Sequence, residues 1–389
     1  GLIAGVISAA VSFGFLKGLV FVTDTRSHHD WLVWLLPVGG LFIGLFMHYL
    51  GGHSHRGTQL VFDEIVDPGE RMPRRLAPVI LLASWATHLF GGSAGREGVA
   101  VQASAGTANV WARAVGLRSS HRQIVLIAAV SGAFSAVFGV PVGGWLFGLE
   151  VAAHRGTRLR AVLPSLVAAV TSNWCVQGWS IGRESRHLVH VSVVPSLVWN
   201  VLAFGIACGV VARLFVIVLR SWARALARVI SWPPVRPCIG GCTVLLLMQL
   251  SGRQYLGLSL PLGDRALAGV GVLAGAFALK LVFTAVTLGS GFPGGEVTPL
   301  AISGALLGAT YAQLTGGDAR LMAAVGFLAL YAAAMGAPWS CSVMAAEMFG
   351  ASILPIVLGV MLIATSLTRK HRLHHPGEFQ ADQERAARE

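Results

Sequence analysis

The chain has 389 residues, 54% of them hydrophobic and only 12% charged, with a mean hydropathy of +0.69. A soluble domain carries roughly 25% charged residues, so this balance predicts a polytopic membrane protein. The formal charge of +12 suits nucleic acid at first sight, but the basic residues are scattered through short connectors at 70–75, 118–122, 154–160, 220–228 and 369–372, without interleaved aromatics for base stacking. They read as cytoplasmic loops under the positive-inside rule, so no nucleic-acid partner is expected.

Apolar segments run, in chain order, over 1–23, 31–50, 76–91, 99–115, 123–150, 161–180, 191–219, 237–250, 266–288, 297–315, 321–349 and 351–367. A spanning helix needs roughly 20 apolar residues. The runs 76–91 and 237–250 fall short of that and 191–219 exceeds it, so several helices are expected to be steeply tilted, broken or only partly crossing. Interruptions at Gly132, Gly139-Val-Pro141, Gly289–Gly295 and Gly336-Ala-Pro338 point the same way. Broken helices at membrane depth survive only where the freed backbone lines a cavity or is buried in protein. The first run opens at residue 1 with no signal peptide ahead of it, and a native start removed upstream is expected. The loops at 67–75 and 154–160 and the tail after Thr368 are placed in the cytoplasm.

The breaks recur. Gly-Gly-Ser-Ala-Gly-Arg-Glu-Gly at 91–98 has a counterpart in Gly-Ser-Gly-Phe-Pro-Gly-Gly-Glu at 289–296, and Gly139-Val-Pro141 in Gly336-Ala-Pro338. Short Gly/Pro-interrupted segments at matching places in two halves mark the binding site of many transporters. We therefore expect an inverted-topology repeat: residues 1–190 as the first membrane repeat, 191–368 as the second, and 369–389 as a short polar cytoplasmic tail. The cluster His371-Arg-Leu-His-His375 reads as solvated tail, and the five cysteines as small packing residues. No metal or cofactor is expected.

Two carboxylates stand out. Glu97 and Glu296 each follow a glycine-rich turn between apolar runs, and a carboxylate at membrane depth is by default a functional group. A helix N-terminus offers unpaired N–H groups and about half a positive charge, a ready anion site. Glycines ahead of it let backbone approach an ion closely. Two such termini meeting at mid-membrane would hold a small anion without a full cation. A glutamate there occupies the site when ionised and leaves it when protonated, which couples anion movement to proton movement. A simple pair between Glu97 and Arg96 is disfavoured, because adjacent helical residues point in different directions.

These residues carry a resemblance. Gly-Arg-Glu-Gly (95–98), Val-Phe-Gly-Val-Pro-Val-Gly-Gly (137–144), Phe-Gly-Leu-Glu (147–150) and Lys-Leu-Val-Phe-Thr-Ala-Val-Thr-Leu-Gly-Ser-Gly-Phe (280–292) resemble the CLC family of anion channels and anion/proton antiporters, in order and over nearly the whole chain. The resemblance implies an all-α membrane fold of tilted and broken helices, a homodimer with one pore per subunit in the inner (plasma) membrane, and Glu97 as the gating glutamate. The stretch 86–102, Phe-Asp-Glu-Ile (62–65) and Gly-Gly-Glu-Val-Thr-Pro (294–299) are most similar to the bacterial fluoride-exporting branch. There, Glu296 and Thr298 would line the pathway, with Thr58, Gly95, Arg96, Gly98, Phe292, Gly294 and Gly295 around them. The resemblance thus implies a fluoride/proton antiporter, with a chloride or nitrate channel or antiporter as the alternative. A membrane enzyme would need a nucleophile–base pair or a metal-ligand set, and none is seen.

Departures from the family pattern are specific. Val151 stands where chloride antiporters carry an internal proton-transfer glutamate, leaving Glu296 as replacement acid. Thr58 replaces the usual residue of the first anion-binding loop, Pro293 replaces a lysine of the fluoride branch, and the pore tyrosine aligns with Ser366. Fluoride is small and strongly hydrated, so its site must supply donors. The hydroxyls of Thr58, Thr298 and Ser366, and a protonated Glu296, are the expected ones. Lys280 is expected to snorkel or meet a carbonyl, Asp63 and Glu64 to brace the loop bearing Thr58, His88 to be packed, and Glu150 and Glu347 to cap or pair at helix ends.

Overall fold

The computed structural model describes residues 1–67, 69, 72–151, 155–179, 197–369 and 372–373. In the first half, α1 (Leu2–His28), α2 (Leu36–Phe46), α3 (Thr58–Val66), α4 (Leu76–Leu89), α5 (Glu97–Ala114), α6 (Ser119–Phe138), α7 (Pro141–Val151) and α8 (Arg155–Gly178) follow one another. The second half holds α9 (Leu197–Val229), α10 (Arg236–Ser251), α11 (Leu260–Leu267), α12 (Ala276–Gly289), α13 (Val297–Thr315), α14 (Ala319–Met335), α15 (Pro338–Phe349) and α16 (Leu354–Thr368). Among the described residues, 7 helical stretches are long and apolar enough to cross a membrane. The uneven helix lengths match the uneven apolar runs: α4 has 14 residues and α9 has 33. The protein is an all-α, multi-pass membrane protein.

The run α4–α7 recurs as α12–α15. Both α4 and α12 are 14 residues long and end in a tight turn before the next helix. The apolar run 123–150 divides at Gly139 and the run 321–349 at Gly336. Both glycines adopt the left-handed conformation that closes a helix, and a proline opens the helix that follows. Gly132, expected as another interruption, lies inside an unbroken α6. A Cβ there would sit 3.0 Å from Ser8 Cβ on α1, so it is a close-packing position of the kind membrane helices use. The expected boundary between residues 190 and 191 lies outside the described residues, as do His371, His374, His375 and most of the tail.

The repeats are tied together by reciprocal capping. Glu347, near the end of α15, accepts hydrogen bonds from Val142 N at 3.1 Å and Gly143 N at 2.6 Å at the start of α7. Glu150, near the end of α7, accepts from Trp339 N at 3.1 Å, Ser340 N at 2.7 Å and Ser340 Oγ at 2.5 Å at the start of α15. Each carboxylate satisfies orphan N–H groups and sits at the positive end of the opposing helix dipole. Helices α5, α13 and α14 are buried along most of their length, whereas α1 and α9 expose Phe21, Leu214 and other large apolar side chains suited to lipid.

Candidate functional site

The two glycine-rich turns meet. Gly95 N donates to Gly295 O at 2.6 Å and Gly295 N donates to Gly95 O at 2.8 Å, an antiparallel bridge between the repeats. Only glycine permits this approach: a Cβ on Gly95 would lie 2.9 Å from Gly295 O, and one on Gly295 would lie 2.9 Å from Gly98 N. The bridge aims the N-termini of α5 and α13 at each other's residues.

Glu97 is the first residue of α5 and is 1% exposed. Its carboxylate crosses to the other repeat, where Oε2 accepts from Thr298 N at 3.1 Å and Thr298 Oγ1 at 2.5 Å. Thr298 lies in the first turn of α13, whose N–H groups have no intrahelical partner. The carboxylate therefore occupies an anion site made by the opposing helix. It also receives Arg96 Nε at 3.3 Å on Oε1, which corrects the expectation that the adjacent pair would not form. Arg96 is the residue before the helix, and its side chain folds back onto the carboxylate that follows it.

Two cavities reach this region, and no lining residue is common to both. A small one of about 20 Å³ touches Glu97, Thr298, Phe138, Asp264 and Phe327, room for a single water. A larger one of about 290 Å³ is lined by Thr58, Gln102, Phe292, Pro293, Gly294, Glu296 and, at the tail end, Arg56 and Leu373. The seated Glu97 carboxylate lines the small cavity, and Gly294 and Glu296, the two neighbours of the bridging Gly295, line the large one. Glu296 precedes α13 but makes no cap to its own helix. Its Oε2 and Thr58 Oγ1 converge beside Gly98, 3.7 and 3.2 Å from where a Cβ of that glycine would be. Thr58 opens α3 and takes a hydrogen bond from Gln102 Nε2 at 3.3 Å.

A buried lysine pins the glycine-rich turn ahead of Glu97. Lys280 is fully buried, and its Nζ shares its three N–H groups among Ser93 Oγ at 3.0 Å, Tyr255 O at 3.2 Å, Gly257 O at 2.7 Å and Ser259 Oγ at 2.9 Å. It meets carbonyls, one of the two outcomes expected of it, and does not snorkel. Ser93 N in turn donates to Thr287 Oγ1 at 3.1 Å, which pins the first repeat's turn to α12. His88 is packed as expected, with its ring nitrogens on Ser84 O at 2.8 Å and Ala94 O at 3.2 Å. Asp63 pairs with Arg56 and takes Gln59 Nε2 at 2.8 Å, while Arg122 reaches Glu64 at 3.3 Å. Both acids brace the helix that carries Thr58.

A family model described as "Voltage gated chloride channel" matches residues 39–369. The chain belongs to the CLC family. A "Chloride/fluoride channel protein" of Pseudomonas syringae pv. tomato is 36% identical to this CLC chain over 381 residues, spanning 95% of it and 83% of the relative. The crystal structure of a CLC-type fluoride/proton antiporter superposes with a TM-score of 0.91 at 31% identity, covering 96% of this chain and 95% of that one. A slow cyanobacterial Cl⁻/H⁺ antiporter shares the fold alone, at TM-score 0.76 and 19% identity over 95% and 93% of the two chains.

Of the residues expected on the CLC pathway, Thr58, Phe292, Gly294 and Glu296 line the large cavity, and Glu97 and Thr298 the small one. Gly95, Gly98 and Gly295 form the junction, and Arg96 holds Glu97. Ser366 does not belong with them. It is exposed on α16 and donates to Ile363 O of its own helix at 2.6 Å. Leu373, whose N–H donates to Ala334 O at 2.8 Å, reaches the large cavity instead. Two residues were missed. Gln102 is a polar side chain in an apolar helix, a signal available from sequence. Tyr331 is buried on α14, stacked on Phe134 and Phe147 with centroids 6.4 and 6.1 Å away, within electrostatic reach of Glu296 and Glu97. Nothing local distinguishes it from a packing aromatic.

Proposed function

We propose that this CLC chain is a fluoride/proton antiporter that exports fluoride across the inner membrane, as a homodimer with one pathway per subunit. The observation that carries the reading is the Glu97 carboxylate seated on Thr298 N and Oγ1 at the opposing helix terminus. A proton arriving from the small cavity neutralises Glu97 and weakens its charge-assisted bonds. The side chain then leaves, and an anion from the large cavity takes over the Thr298 donors. Loss of the proton returns Glu97 to the site and expels the anion. One ion thus moves against the other at a single position.

Fluoride is favoured by the donor set. Thr58 and Thr298 supply hydroxyls, Thr298 also its backbone N–H, and Glu296 supplies one more donor when protonated. These replace the water that a small, strongly hydrated anion gives up. The likeness to the fluoride/proton antiporter structure and to the chloride/fluoride relative supports the same choice. One feature favours chloride: Phe292, Pro293 and Leu373 give the large cavity apolar edges, which suit a larger, weakly hydrated ion. Efflux from proteoliposomes loaded with equal fluoride and chloride decides between them. We expect fluoride to leave at least about tenfold faster, the discrimination that one well-placed donor supports. Chloride efflux equal to or above fluoride efflux would overturn the fluoride assignment.

A further inference from the structure

We propose that Gln102 is the specificity-determining residue of the large cavity: its amide fixes the Thr58 hydroxyl as a donor to a small, hard anion. The inference rests on the fluoride reading above and adds a residue to it. Gln102 is 1% exposed and lies on α5, little more than one turn beyond Glu97, with its side chain in the lining of the cavity that holds Glu296 and Thr58. Its Nε2 donates to Thr58 Oγ1 at 3.3 Å. Its Oε1 is buried without a hydrogen-bond partner among the described residues.

A hydroxyl both donates and accepts. With Gln102 occupying a lone pair of Thr58 Oγ1, the hydroxyl proton is left to point away from the amide, into the cavity. The amide also polarises the O–H bond and strengthens it as a donor. Glu296 Oε2 and Thr58 Oγ1 lie on the same side of Gly98, so an ion beside Thr58 is also beside Glu296. Chloride is both larger and a weaker acceptor, so it gains less from a hydroxyl held in this way. Gln102 acts on selectivity through Thr58, which makes it a positioning residue.

The test measures fluoride and chloride efflux from proteoliposomes for wild type, Gln102→Leu, Thr58→Val and the double variant, with thermal unfolding of each in detergent. Gln102→Leu is expected to lower the fluoride-to-chloride rate ratio about tenfold, the weight of one hydrogen bond, with chloride efflux and melting temperature nearly unchanged. In the Thr58→Val background the same change should have no further effect on the ratio. An unaltered ratio in a folded Gln102→Leu variant overturns the proposal, as does an equal loss in both backgrounds. If Gln102→Leu fails to fold, Gln102→Met serves in its place with the same two outcomes. Wild-type efflux favouring chloride would instead overturn the fluoride assignment on which the inference rests.

Discussion

Among single residues, Glu97 and Thr298 carry the proposed gate. The carboxylate is held by two bonds from one threonine and by one guanidinium, across two repeats. Removing its charge without changing its shape is the direct probe. Glu97→Gln is expected to abolish proton movement linked to anion movement, and a variant with wild-type proton coupling would remove Glu97 from the gate. Thr298→Val keeps the backbone N–H and deletes the hydroxyl. Because a bond to a charged group is worth about 1.5–3 kcal/mol, we expect fluoride affinity by calorimetry to fall at least about tenfold, while unchanged affinity would place the anion elsewhere.

At the scale of elements, the paired turns and the reciprocal caps are the devices that hold the site. Gly295→Ala places a methyl 2.9 Å from Gly98 N, which no side-chain adjustment relieves. It should reduce flux to background even where the protein still inserts and folds. The caps are a stability matter. Glu150→Ala and Glu347→Ala each strand N–H groups at a helix start, and each is expected to cost about 1–2 kcal/mol. Thermal unfolding checks this, and a melting temperature unchanged in both would mean that water replaces the carboxylates at no cost. The caps show how local signals become long-range structure. Glutamate at the end of one helix and proline at the start of another are legible separately, but their pairing across about half the chain is visible only in the fold.

At the scale of the whole molecule, the fold was legible where physical punctuation is strong. Glycine and proline at 139–141 and 336–338 divide apolar runs, and the glycine-rich turns at 91–98 and 289–296 mark the meeting point of the repeats. The site was legible where a carboxylate stands in apolar surroundings, as at Glu97 and Glu296. It was not legible where a residue's role depends on distant contacts. Ser366 aligns with the family's pore tyrosine only through the last helix, whose one glycine, Gly359, packs against Val201 without breaking the helix and so fixes no register. Leu373, with its backbone anchored to Ala334 on α14, lines the large cavity. For Lys280 a meeting with carbonyls was expected, but not which ones: its four oxygen partners come from two other chain segments, Ser93 and 255–259. Gln102 carried a signal of its own, but its meaning comes from Thr58, 44 residues earlier.

In the proposed mechanism anion and proton compete for one position, so movement of either must drive the other. The most direct measurement is proton movement into or out of proteoliposomes under an imposed fluoride gradient, with the membrane potential clamped near zero and no initial pH difference. Competition at one position predicts that fluoride leaving the vesicles draws protons inward, against the pH gradient that this builds, and that Glu97→Gln vesicles release fluoride without any pH change. Fluoride efflux through the wild-type protein with no accompanying proton movement would contradict it.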